Sequence, residues 1–115
     1  MLEVYGIPTC STCQKALKWL ESQAIPYQFI NTKETAPSQP QITQWVQTLG
    51  NKPLRNTSGL SYRALGATKD SWQDPDWIKA FSNDAMLLKR PLFVQGDTAI
   101  HVGFRDPEVL LASMK

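Results

Sequence analysis

The sequence predicts an α/β protein, a three-layer sandwich in which a mixed sheet carries helices on both faces. Three observations predict it. An apolar run, an amphipathic stretch and a second apolar run fill the chain as far as Ile30; a helical middle follows; and two short apolar runs around a Gly-Asp turn precede a last helical stretch. The order is βαβ, helices, then ββα, and a sheet assembled from both ends of the chain needs helices on both faces to bury it. At 115 residues there is room for one domain with one core, and 42% hydrophobic residues is ordinary for a soluble globular fold. The domain is expected to span 1–115, with a helical insertion at about 35–88.

Leu2-Glu3-Val4-Tyr5 reads as the first strand and Gly6-Ile7-Pro8-Thr9 as the turn leaving it. Gln14 to Gln23 is expected to be helical, beginning at or beside Cys10 and Cys13, with Ala16, Leu17, Leu20 and Ala24 on an apolar face and Lys15, Lys18 and Glu21 on another. Trp19 is expected to pack in the core or cover its edge. Ile25-Pro26 ends this segment, and Tyr27 to Ile30 alternates as a second strand, which the helical crossover makes parallel to the first.

Asn31 to Pro40 is polar and proline-bearing, a loop. Ser38 is a candidate N-cap for a helix with Ile42, Trp45, Val46 and Leu49 inward, closed by Gly50. Asn51 to Gly59 reads as loop, and Leu60 to Leu65 as a short helix ending at Gly66. Asp74-Pro75 looks like a cap followed by proline at the first helical position, starting a helix with Trp77, Ile78 and Phe81 inward. Leu92 to Gln95 and Ala99 to Val102 flank Gly96-Asp97, a hairpin signal. Asp106-Pro107 repeats the cap-and-proline pattern for a last helix through Val109, Leu110, Leu111 and Met114. His101 reads as a surface or packing residue, and Trp72 sits in a polar loop without evident partners.

The chemistry concentrates at Cys10-Ser11-Thr12-Cys13, which holds both cysteines of the chain. A strand-to-helix turn places a thiol where backbone N–H groups and the positive end of a helix dipole converge, which favours thiolate. A thiolate attacks a disulfide or another electrophile, and a second cysteine at this spacing can resolve the adduct. The polar residues between the cysteines argue against an inert buried pair. A closed structural zinc site needs two further ligands, and only His101 is on offer, so no metal is expected.

These stretches resemble a known family. The element order is similar to that of thioredoxin and glutaredoxin folds, and the helical block resembles the arsenate reductase (ArsC), Spx and YffB branch. The resemblance rests on the run from Tyr5 to Ala16 around the cysteines, on Asn56-Thr57-Ser58-Gly59, on Lys89-Arg90-Pro91-Leu92-Phe93-Val94, and on Val102-Gly103-Phe104. It implies a thioredoxin-like fold, Cys10 as nucleophile, and Pro91 as a cis proline facing it. Taken alone, Arg90 is a cation at a strand entrance and Arg105 a solvated loop charge; the resemblance gives both a place beside the cysteine, where a guanidinium favours thiolate and binds an oxyanion. Cys10, Cys13 and Arg90 are thus the catalytic candidates, and Thr9, Ser11, Thr12, Arg55, Pro91 and Arg105 the substrate-binding ones.

Two departures bear on the activity. Arsenate reductases of this class typically lack a cysteine at the position of Cys13, whereas Spx-type proteins carry Cys-x-x-Cys. The middle-loop arginine of the YffB and Spx patterns falls at Ser58, which leaves open whether Arg55 stands in for it. The resemblance therefore implies either a thiol–disulfide oxidoreductase, acting on an oxyanion or mixed disulfide with resolution by Cys13 or glutathione, or a redox-sensing regulator that binds RNA polymerase. The first would bind no resident cofactor and would draw electrons from glutathione, glutaredoxin or thioredoxin. A net charge of +2 without a dense basic patch gives no reason to expect direct nucleic-acid binding. No apolar run approaches the ~20 residues that span a bilayer, and the N-terminus shows no signal-peptide pattern, so the expected location is cytoplasmic.

Overall fold

The computed structural model describes residues 1–114. Its first elements are β1 (Leu2–Gly6), α1 (Ser11–Ser22) and β2 (Tyr27–Asn31). β1 and β2 run parallel, Leu2 opposite Tyr27 and Gly6 opposite Asn31. Near the other end, β3 (Leu92–Gln95) and β4 (Thr98–Val102) form the expected hairpin. Its turn has Gly96 at φ 64 in the first central position, the place that a type II′ turn reserves for glycine. Among the described residues the strands make one four-stranded sheet in the order β2-β1-β3-β4, with β3 antiparallel to β1. Both ends of the chain therefore meet in its centre.

The period-two alternation of strands divides the core into two layers. On one face Leu2, Val4 and Phe93 pack with Ala16 and Leu20 of α1 and with Leu110 of α5 (Pro107–Ser113). On the other, Tyr5, Leu92, Val94 and Ala99 pack with Ile42, Trp45 and Val46 of α2 (Gln39–Leu49) and with Trp77 and Phe81 of α4 (Asp74–Asn83). The three-layer α/β sandwich and the mixed sheet are those the sequence predicts. No helix among the described residues is long and apolar enough to cross a membrane.

The helical middle departs from expectation in its details. α2 begins with a reciprocal cap: Ser38 N–H donates to Gln41 Oε1 at 2.9 Å and Gln41 N–H to Ser38 Oγ at 3.3 Å. α3 (Leu60–Ala64) does not stop at Gly66 as expected but is followed there by a 3₁₀ stretch, Gly66–Ser71. α4 is capped at Gln73 rather than Asp74, because the Asp76 carboxylate accepts the Gln73 N–H at 2.9 Å and draws Asp74 and Pro75 into the first turn. Trp72 has a partner after all, standing edge-on to Trp77 with ring centroids 4.9 Å apart. Ala24, expected on the apolar face of the first helix, lies beyond its end at φ 55 and is exposed. Trp19 is half-buried against Phe104 and covers the edge of its layer.

Leu20 is fully buried between α1 and the sheet, whereas Leu60 is 78% exposed. Leu20→Ala should therefore cost about 2–5 kcal/mol in chemical denaturation and Leu60→Ala less than about 0.5 kcal/mol. Similar losses from the two would contradict this packing.

Candidate active site

The turn after β1 delivers the chain to α1 with little slack. Cys10 N–H donates to Ile7 O at 3.2 Å, and Gln14 Nε2 reaches back to Pro8 O at 2.8 Å. Cys10 itself is the N-cap, with extended backbone angles (φ −80, ψ 119), and the helix starts at Ser11. The capping atom is sulfur: Cys10 Sγ accepts the Cys13 N–H at 3.4 Å. Serine or asparagine would fill this role with oxygen. Here a group that can ionise faces the unsatisfied N–H donors of the first turn.

The second wall comes from the approach to β3. The Arg90–Pro91 bond is cis, and Pro91 is buried with its carbonyl accepting the Gly103 N–H at 2.7 Å. A short cross-tie holds this segment against the middle loop: Asn56 N–H donates to Leu87 O and Lys89 N–H to Leu54 O, each at 2.8 Å. Cys10, Thr12, Asn56, Lys89, Arg90, Gly103, Phe104 and Arg105 thereby line one cleft of about 310 Å³. Larger clefts of about 580 and 620 Å³ lie along α3 and α4 and beside β2, but neither is lined by a cysteine.

The two thiols experience opposite environments. Burial works against ionisation of Cys10, yet the N–H of Cys13, the Cys13 thiol, the N–H of Thr12 and the Arg90 guanidinium together outweigh it and lower its pKa below the ordinary thiol value. Cys13, buried in the first turn, is pushed up to about 12, chiefly by that burial, with Cys10 adding to the effect and an Ile7 backbone bond and Arg90 opposing it. The thiol that lines the cleft is thus the more acidic of the two, and the buried one is the harder to ionise. His101 sits half-buried beside Phe93, and burial together with the charge of Lys89 lowers its pKa.

The candidate residues separate accordingly. Cys10, Thr12, Arg90 and Arg105 converge on the cleft, with Cys13 and Pro91 buried around it. Thr9 and Ser11 flank Cys10 on exposed positions outside the cleft lining. Arg55 is occupied elsewhere: its guanidinium lies 4.1 Å over the Trp77 ring and bonds Asn51. Asn56, Lys89, Gly103 and Phe104 also line the cleft, and the sequence singles none of them out individually. Their one signal was membership of the stretches that carry the family resemblance. Arg90 Nε is buried without a hydrogen-bond partner, so part of that guanidinium is unspent.

The chain is similar to proteins of known sequence and structure over nearly its whole length. Residues 5–112 match the model of the ArsC family. A solved protein named YffB superposes with a TM-score of 0.88 at 26% identity, covering 100% of both chains. A possible arsenate reductase from Streptococcus mutans superposes at 0.84 with 35% identity, covering 92% of each chain. Among sequences, the global transcriptional regulator Spx 2 of Lactococcus lactis is 26% identical over 111 residues, 95% of this chain and 83% of its own.

Alkylation should read the asymmetry directly, because its rate follows the thiolate fraction. In Cys13→Ser the remaining Cys10 should react at neutral pH and slow as pH falls through its lowered pKa. In Cys10→Ser the buried Cys13 should stay nearly inert until strongly alkaline pH. Faster reaction of Cys13 at neutral pH would reverse the assignment.

Proposed function

The chain belongs to the ArsC family, and on that premise we propose that it is a thiol–disulfide oxidoreductase with Cys10 as nucleophile. The observation that carries the proposal is the pairing of a thiolate-favouring Cys10, capping α1 in a cleft with Arg90 and Arg105, with a protonated Cys13 in hydrogen-bond range behind it. In the reaction, the Cys10 thiolate attacks one sulfur of a mixed disulfide, forming a new S–S bond and expelling the first thiol. Arg90 and Arg105 hold the anionic part of the substrate. Cys13 then gives up its proton and attacks Cys10 Sγ, releasing the second thiol and leaving a Cys10–Cys13 disulfide. Glutathione, with glutaredoxin, or thioredoxin supplies the two electrons that restore the dithiol. On an oxyanion such as arsenate, Cys10 Sγ would bond to arsenic with loss of water; the thiol of glutathione or Cys13 would then attack Cys10 Sγ, breaking the S–As bond, forming a disulfide and releasing arsenite, the two electrons coming from the two sulfurs.

The likeness to Spx over nearly the whole chain, together with the Cys-x-x-Cys spacing that the family resemblance ties to Spx-type proteins, favours one second reading: a redox switch whose oxidation changes binding to RNA polymerase. Turnover separates the two. With glutathione and glutaredoxin, or with thioredoxin, the reductase reading predicts reduction of a glutathione mixed disulfide or of arsenate, abolished in Cys10→Ser and partly retained in Cys13→Ser when glutathione can resolve the adduct. Arg90→Lys keeps the charge and loses the planar fork, so kcat/KM should fall about tenfold or more. No turnover on any of these substrates, with redox-dependent retention of RNA polymerase on the immobilised protein, would replace the first reading by the second.

A further inference from the structure

Gly6 ends β1, and its backbone gives no reason for glycine: Gly6 is absent from the positive-φ residues, so any L-residue could adopt its conformation. Its surroundings do give a reason. A Cβ built on Gly6 would lie 2.6 Å from Cys13 Sγ, while Cys13 Cβ is 3.6 Å and Phe29 Cε1 3.5 Å away, both ordinary contacts. The missing methyl is therefore the seat of one atom, the sulfur of the second cysteine. The Gly6 carbonyl is fixed by the Thr32 N–H at 2.9 Å and the Thr32 hydroxyl at 3.3 Å, so the strand end cannot easily retreat from an added group.

We propose that Gly6 is a positioning residue for the resolving thiol: its notch holds Cys13 Sγ in the reduced protein and thereby biases the dithiol–disulfide equilibrium toward the dithiol. The inference rests on the oxidoreductase reading. A disulfide requires the two sulfurs to close to about 2.05 Å, so the pair must rearrange from its reduced positions, and on this proposal it is Cys13 Sγ that leaves its seat toward Cys10. While the notch is available, the reduced state keeps close packing around the sulfur that oxidation forfeits. Filling it with a methyl turns that advantage into a clash in the reduced state, which departure of Cys13 Sγ on oxidation would relieve. Oxidation is balanced by glutathione disulfide: two electrons pass from the dithiol, the two thiol protons go with them, and two molecules of glutathione form.

The test is a two-by-two set, Gly6→Ala and Cys13→Ala singly and together. Equilibration of the first variant and the parent in glutathione redox buffers should show the Cys10–Cys13 disulfide favoured about tenfold or more in Gly6→Ala. Reduced Gly6→Ala should be less stable to denaturant than the parent, whereas Gly6→Ala/Cys13→Ala should match Cys13→Ala, since the clashing sulfur is gone. A Gly6→Ala protein that folds only when oxidised is the same result in extreme form. An equilibrium within about threefold of the parent, a shift toward the dithiol, equal destabilisation in both backgrounds, or failure to fold in both redox states overturns the proposal. These readouts need no substrate, so an unaltered equilibrium in a turnover-competent protein sinks the notch alone. A shifted equilibrium in a protein without turnover sinks the enzymatic reading alone.

Discussion

The first turn of α1 presents backbone N–H groups that no carbonyl of the helix can satisfy, and the atom that meets them is Cys10 Sγ. Most helices close this gap with a neutral hydroxyl or a permanent carboxylate. A thiol couples the cap to a titration: losing its proton turns a weak acceptor into an anion facing donors already in place. The same turn carries Cys13 inward on the helix's buried stripe with Ala16 and Leu20. One helix start thus sets the half-buried, more acidic Cys10 and its buried partner together, and the remainder of the fold serves to hold that start still.

Two layers of packing do the holding. Val4 and Phe93 face α1, while Tyr5, Leu92 and Val94 face α2 and α4, so the central strands are clamped from both sides. The tie between residues 54–56 and 87–89 fixes the approach to β3, and with it the segment bearing Lys89 and Arg90. Arg55 belongs to this scaffold. Its place over Trp77, which also stacks with Tyr62 and meets Trp72 edge-on, joins the middle loop to the helical layer.

Much of this was legible in the sequence because short-range rules govern it. The alternation of Leu2-Glu3-Val4-Tyr5, the Gly96-Asp97 turn, Ser38 before its helix and Asp106 before Pro107 each announce a local structure that the packing has no reason to override. The cap at Gln73 was hidden because Asp74 is also a good cap, and only the reach of the Asp76 carboxylate decides between them. Trp72 looked unpartnered because it follows an unexpected 3₁₀ stretch, and its partner, Trp77, lies in α4 beyond the Gln73 cap. Of the site, the two cysteines stand out by spacing, and Arg90 by its place before a proline. Asn56, Lys89, Gly103 and Phe104 join it only through contacts between segments distant in the chain, to which periodicity is blind.

Thiolate stabilisation by the helix start is the claim on which the rest depends, and Arg90 is the smallest of the contributions that oppose burial. A titration of both cysteine β-carbons, isotope-labelled and followed by NMR in the intact protein and in Arg90→Gln, separates the two sources. The account predicts that Cys10 ionises below the ordinary thiol range in the intact protein, and that Arg90→Gln raises its pKa only partway back because the N–H donors of Thr12 and Cys13 remain. A Cys10 that titrates at or above the ordinary thiol value in the intact protein, or one whose depression vanishes entirely with Arg90, would contradict it.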